Sequence, residues 1–232
     1  MIIQDLKTDP ANTNQPGSFF HPAIRLFAHF FSVLLHPLFV TSYATAFLIF
    51  VHPFAFAGLD PRLKLFRFLT VFLSTTFLPL LAVFLVWRLG LFVKSFRMNT
   101  ARERLVPYLI AMTLYWWPWN VYRNLTDIPM VANRLLFGSF LSICGAWMCN
   151  IFFKISIHAV AMGSLFIFFL LFSFSDSYGS GLYLSIVLLL TGIVCTSRLI
   201  VSDHSPFEIY SGLALGMIMQ WIAWQISPYM VA

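Results

Sequence analysis

The chain has 232 residues, of which 60% are hydrophobic and only 9% are charged, and its formal net charge at pH 7 is +6. Apolar runs longer than ~18 residues recur along it, which is typical of transmembrane helices and excludes a soluble globular domain. Membrane proteins carry such positive charge near helix ends, where it sets topology and contacts lipid head groups, so the charge does not indicate nucleic-acid binding. We therefore predict an all-α, polytopic membrane protein.

In chain order, a polar tail of residues 1–20 precedes a single transmembrane domain of residues 21–232. The tail lacks the charged start and short apolar core of a cleavable signal peptide, and its composition predicts a flexible segment. The segment His21–Phe31 is expected either to lie in the membrane interface or to form the first turns of the first span. We predict about six to seven spans, approximately at Ser32–His52 with a kink at Pro37, Leu65–Val93, Leu105–Tyr122, Met130–Phe153, a fifth that ends at Ser173, Leu182–Ile200 and Ile209–Ile226.

Three polar clusters interrupt these apolar runs, at residues 97–104, 154–158 and 197–208. The two intervening segments are each long enough for a helical hairpin, that is, two spans joined by a polar turn. Because an even number of crossings returns the chain to the side that it left, we expect all three clusters in one pocket at a single membrane face. Together they supply cations, a hydroxyl, two imidazoles and a carboxylate: Arg97, Arg102, Arg104, Lys154, Ser156, His158, Arg198, His204 and Glu208.

The chemistry of this set favours phosphate. His204 and Glu208 stand four residues apart, so on a helix they share a face and can form a hydrogen bond that orients the histidine and makes it more basic. Several cations around two histidines suit the binding of a phosphate dianion and proton transfer at its ester oxygen, and a histidine is a competent nucleophile toward phosphorus. No cysteine set or carboxylate cluster indicates a metal, so we expect no metal ion and no other cofactor.

Other interpretations of these clusters remain open. Ser205, Pro206 and Glu208 are also typical of a helix start, with the serine as cap, the proline first and the glutamate closing a capping box. The arginines are equally typical of topology-setting charges that contact anionic lipids. The second alternative does not explain why two histidines and a glutamate are expected at the same face.

Elsewhere, polar and small residues indicate structural roles. His21, His36 and His52 each precede a proline, which favours a position at a helix end or in a loop. Gly212 and Gly216 form a Gly-x-x-x-Gly pattern, which favours close helix packing.

The third cluster resembles a signature motif of the type 2 phosphatidic acid phosphatase superfamily, which includes the vanadium haloperoxidases. In this chain Ser197-Arg198 is followed by five residues, His204, three residues and Glu208. The family motif is Ser-Arg-x5-His-x3-Asp.

The other two clusters are similar to the remaining motifs of the same superfamily, in the same order. Ser156-Ile157-His158 is similar to Pro-Ser-Gly-His, and Arg97 and Arg104, with six residues between them, are similar to Lys-x6-Arg-Pro. The resemblance extends from Arg97 to Glu208, about half of the chain.

Departures from the motifs suggest a divergent branch. Arg97 stands where the family has lysine, no proline follows Arg104, and Ile155 and Ile157 replace proline and glycine. Isoleucine in place of glycine hinders close approach of the backbone to a phosphate. Glu208 replaces aspartate and is one methylene longer.

The resemblance implies a metal-independent mechanism in which His204 attacks phosphorus and forms a phosphohistidine. It implies that Glu208 orients His204 and that His158 protonates the leaving oxygen. The groups expected to hold the phosphoryl oxygens are Arg97, Arg104, Ser156 and Arg198, and charge and position add Lys154 to them.

The expected function is that of an integral membrane phosphatase for a lipid phosphate or diphosphate, whose tail stays in the bilayer. Phosphatidate, phosphatidylglycerol phosphate, a polyprenyl diphosphate and a lipid A phosphate are all candidate substrates, and membrane lipids are the other expected partners. A lipid phosphotransferase that uses the same site is one alternative, and a non-catalytic anion- or lipid-binding membrane protein or transporter is another. The outward orientation usual among bacterial relatives favours the outer face of a bacterial cytoplasmic membrane.

Overall fold

The computed structural model describes residues 20–90, 101–175, 181–201 and 204–230, except for the side chains of residues 101–103. All regular structure in these ranges is helical, which confirms the all-α prediction for this part of the chain. The predicted tail, residues 1–20, lies outside it apart from Phe20. The helices are α1 Pro22–Leu34, α2 Pro37–Ala46, α3 Pro61–Phe72, α4 Leu78–Arg88, α5 Ala101–Tyr122, α6 Met130–Phe152, α7 Ile157–Ser175, α8 Gly181–Val201 and α9 Pro206–Ile226.

Four helices of the described ranges are long and apolar enough to cross a membrane: the continuous helix Pro61–Arg88 that joins α3 to α4, and α6, α7 and α8. Helices α1 and α2 are a fifth candidate if their two halves, bent by 62°, form one span. These helices indicate an integral membrane protein. Helices α5 and α9 have 22 and 21 residues but are less apolar, so the count of six to seven spans stays a prediction.

Histidine–proline pairs mark two of the helix starts. Proline suits the first helical position because its φ is already helical and its missing N–H needs no partner there. Nδ1 of His21 and of His36 each accept the N–H of the residue two positions on, at 3.3 and 3.4 Å. Nδ1 of His52 accepts the N–H three positions on at 3.0 Å. The predicted role of these histidines at helix ends is therefore confirmed.

Helix α9 packs against both α6 and α7, and glycines set its distance from α7. A Cβ on Gly216 would collide with the carbonyl oxygen of Val160, and one on Gly212 would lie 2.8 Å from the carbonyl oxygen of Ser156. The predicted packing role of these two glycines is confirmed. Their contact holds the start of α7 against the start of α9, where the second and third polar clusters lie.

Candidate functional site

A histidine–glutamate pair lies at the start of α9. His204 Nδ1 and Glu208 Oε2 are 2.5 Å apart, and the two side chains are 12% and 19% exposed. His204 lies just before the helix rather than on it, because α9 begins at Pro206 with Ser205 as its cap. The hydrogen bond expected from the four-residue spacing is therefore made. It joins a residue before the helix to one in its first turn, and not two residues on one helical face.

The capping interpretation of this stretch is half right. Ser205 Oγ accepts the backbone N–H of Glu208 at 3.3 Å, as a helix cap does. A capping box would direct the glutamate carboxylate back to the N–H of the cap. The carboxylate instead meets His204 and Lys154, whose Nζ lies 3.9 Å from the same Oε2. Glu208 therefore donates its backbone N–H to the capping serine and accepts a hydrogen bond from His204 with its side chain.

The hydrogen bond with Glu208 selects the tautomer of His204. An ionised carboxylate only accepts hydrogen bonds, so Nδ1 carries the proton and Nε2 of the neutral ring holds a lone pair. Burial lowers the pKa of His204 below its ordinary value of 6.5; the hydrogen bond to Glu208 raises it, and the charges of Lys154 and Arg198 lower it. The ring is thus neutral at pH 7, with Nε2 able to act as a nucleophile or a base.

His158 and Arg198 meet at Ser32, in the last turn of α1. His158 donates from Nε2 to the Ser32 carbonyl oxygen at 3.1 Å, and Arg198 donates from Nη1 to Ser32 Oγ at 2.8 Å. The charge of Arg198 also acts on both His158 and His204. The structure therefore brings the second and third clusters together at one place, where Ser32 joins them.

Ser156 lies in the segment between α6 and α7, beside the glutamate. Its backbone N–H donates to the carbonyl oxygen of Glu208 at 3.1 Å, which ties the second cluster to the first turn of α9. Its hydroxyl is fully buried and has no hydrogen-bond partner within the described residues. A buried hydroxyl without a partner is costly, which makes Ser156 an unusual residue in this segment.

A cavity of about 320 Å³ adjoins His158. His36, Arg104 and His158 line it, together with mostly apolar side chains of α2, α4, α5, α6 and α7. Arg104 and Tyr115 both line the cavity and are three turns apart on α5, so it extends about 16 Å along that helix. Arg104 of the first cluster thus lines the same cavity as His158.

Two residues of this site, Ser32 and His36, are absent from the sequence prediction. The rings of His36 and His158 are in edge-to-face contact, with centroids 5.2 Å apart and planes at 83°. A serine in an apolar helix carries no signal that could have found it. His36 was assigned a purely structural role at a helix end because a proline follows it. A titratable side chain between two apolar segments is also a sign of a functional site, and that signal could have identified it.

Arg97 and the side chain of Arg102 lie outside the described residues, so Arg104 alone represents the first cluster. Among the described residues no three His, Cys, Asp or Glu side chains are grouped as metal ligands.

No family model, curated protein or solved structure matches this chain. The resemblance to the type 2 phosphatidic acid phosphatase superfamily therefore stands on the three short motifs. The predicted roles of individual residues stay predictions.

Proposed function

We propose that the protein is an integral membrane phosphatase that hydrolyses a lipid phosphate or diphosphate through a phosphohistidine on His204. The observation that carries this proposal is the hydrogen bond between His204 Nδ1 and Glu208, because it leaves the lone pair on Nε2. Arg198 and Lys154 supply positive charge around that ring. A neutral, oriented histidine among cations suits attack on phosphorus, since the cations offset the negative charge of the phosphoryl oxygens.

In the first step Nε2 of His204 attacks phosphorus, and the bond from phosphorus to the lipid oxygen breaks. The leaving oxygen takes a proton from His158. Because the Nε2–H of His158 is donated to Ser32, the proton that it gives up would be one bound at Nδ1. Water then attacks the phosphohistidine and gives a proton to His158, the N–P bond breaks, and phosphate leaves with His204 neutral again. Arg97, Arg104, Ser156 and Arg198, with Lys154, would hold the phosphoryl oxygens.

The adjoining cavity supports a lipid as the substrate. A phosphate near His158 and Arg104 would leave the attached chain free to extend along α5 toward Tyr115, among apolar side chains. Burial of each methylene of such a chain contributes about 0.8 kcal/mol to binding. A water-soluble phosphate ester would gain nothing from this wall.

A non-catalytic anion-binding protein or transporter is the second candidate. Arg198 and His158 both direct hydrogen bonds to Ser32, as the members of a structural network would. Such a protein would bind phosphate or vanadate without forming a covalent adduct. A phosphotransferase would form the adduct and pass the phosphoryl group to an alcohol.

The test is to incubate the purified protein with radiolabelled phosphatidate, phosphatidylglycerol phosphate, polyprenyl diphosphate and lipid A phosphate, and to quench in alkali because phosphohistidine is labile in acid. We expect one substrate to label the protein and the label to appear as inorganic phosphate. Label that moves only to an added alcohol would identify the phosphotransferase. Binding of vanadate with no label from any of the four lipids would favour the anion-binding candidate.

Activity is expected to survive EDTA and to be blocked by vanadate. The proposed site neutralises phosphoryl charge with arginine and lysine side chains, and vanadate adopts the five-coordinate shape of the group in transfer. Phosphate release measured with each reagent checks both statements. Loss of activity in EDTA that magnesium restores would contradict the mechanism.

The acid limb of the profile of kcat/KM against pH is expected to lie below pH 6.5, the ordinary pKa of histidine. Attack requires neutral His204, and a lowered pKa keeps the ring neutral to a lower pH. Because the Glu208 hydrogen bond raises this pKa, the residual activity of Glu208→Gln should have its acid limb at a still lower pH. An acid limb at or above pH 7 in the wild-type protein would show that the proton lost is not that of His204.

We also propose a bacterial cytoplasmic membrane with the site at its outer face, as the resemblance to bacterial phosphatases implies. Reporter fusions at the two chain ends test the orientation. If the chain end on the same side of the membrane as the site gives a cytoplasmic signal, the site faces the cytoplasm and the proposed orientation is wrong.

A further inference from the structure

Three histidines of this chain, His21, His36 and His52, precede a proline and accept a backbone N–H with Nδ1. The three therefore perform the same local task. Only His36 also lines the cavity beside the candidate site. His21 is exposed at the start of α1, and nothing in the capping task requires a histidine rather than the usual serine, threonine or aspartate. The position of His36 calls for a second explanation.

The cap determines which nitrogen of His36 is a donor. Because Nδ1 accepts the N–H of Leu38, the proton of the neutral ring is on Nε2. This is the only hydrogen bond that the described residues give the ring. A proton on Nδ1 would face the N–H of Leu38, so the cap favours the neutral ring over the imidazolium. His36 is thus a neutral hydrogen-bond donor, unsuited to act as a general acid.

The surroundings of His36 are those of a phosphate-binding group. Its half-buried ring contacts the ring of His158 edge to face, and the charge of Arg198 acts on it. Arg104 lines the same cavity. A neutral N–H that lies beside a histidine and experiences the charge of Arg198 would add a directional contact to a phosphoryl oxygen without adding charge.

We propose that His36 is a substrate-binding residue whose Nε2–H donates a hydrogen bond to a phosphoryl oxygen of the lipid substrate, while its Nδ1 caps α2. This inference rests on the proposed function and extends the site to a fourth segment of the chain, the break between α1 and α2. The sequence motifs do not include this segment.

Two substitutions separate the two nitrogens. Asparagine at position 36 retains a side-chain oxygen that caps a helix well but has no donor at the position of Nε2. Glutamine reaches the position of Nε2 with its amide N–H but is a poor cap. We expect His36→Asn to lower kcat/KM for the lipid substrate by roughly 10- to 100-fold, and to weaken vanadate binding similarly, with unchanged thermal stability. His36→Gln should lose thermal stability and keep most of its kcat/KM and vanadate affinity.

His21 provides the matched control, since it makes the same cap on α1 with an exposed ring. His21→Asn and His21→Gln should leave kcat/KM and vanadate affinity unchanged. If His36→Asn is fully active while His36→Gln is impaired, or if both keep or both lose activity, the inference is overturned. If the wild-type protein neither releases phosphate from any of the four lipids nor binds vanadate, the proposed function fails first and this inference fails with it.

Discussion

Replacement of His204 by alanine is expected to abolish both turnover and the labelled phosphohistidine. The substitution removes the nucleophile itself, and no other imidazole of the site has the tautomer that a carboxylate partner selects. Steady-state phosphate release and alkaline-quench labelling on the productive lipid measure the two losses. Phosphate release and labelling by the variant should both fall to the detection limits of the assays, because the phosphohistidine cannot form without His204.

The control for this variant is His29→Ala, since His29 is exposed on α1 and belongs to no part of the site. It should retain wild-type turnover and labelling. A His204→Ala protein that is folded and still turns over would remove the covalent mechanism altogether. Turnover without any labelled protein in the wild type would point to direct attack by water.

Glu208→Gln is expected to lower kcat by roughly 10²- to 10⁴-fold while the protein stays folded. The amide has no charge with which to stabilise the positive ring of the phosphohistidine, and its N–H₂ can instead donate to the histidine and select the wrong tautomer. Single-turnover labelling should slow by a similar factor, because orientation of His204 matters in the first step.

Ser205→Ala is the matched variant for the helix start. It removes the bond from Ser205 Oγ to the N–H of Glu208 and should lower the free energy of unfolding by about 1 kcal/mol with turnover nearly intact. The contrast between the two variants separates capping from orientation. Wild-type turnover in a folded Glu208→Gln protein would show that the carboxylate is not needed to orient His204.

Features of the chain that depend on neighbours in sequence were predictable. Apolar runs indicated helices, Ser205-Pro206 indicated a helix start, and Pro37 indicated a kink where the structure has a break and a new helix start, because a proline acts within one turn. The bond between His204 and Glu208 also follows from a separation of four residues, although it crosses the cap instead of following a helical face.

Other features depend on contacts between distant segments, and no local pattern reports them. Ser32 meets His158 over 126 positions of sequence and Arg198 over 166. The packing of α1 beside α8 makes the second of these contacts. The ring contact between His36 and His158 likewise joins distant segments, at the break where α1 and α2 are bent by 62°. The sequence by itself therefore determined the helical class and the residue types of the site, because periodicity and spacing are local. Only the tertiary structure showed that the carbonyl and hydroxyl of Ser32 and the ring of His36 contact the predicted residues, because side chains from four helices meet there.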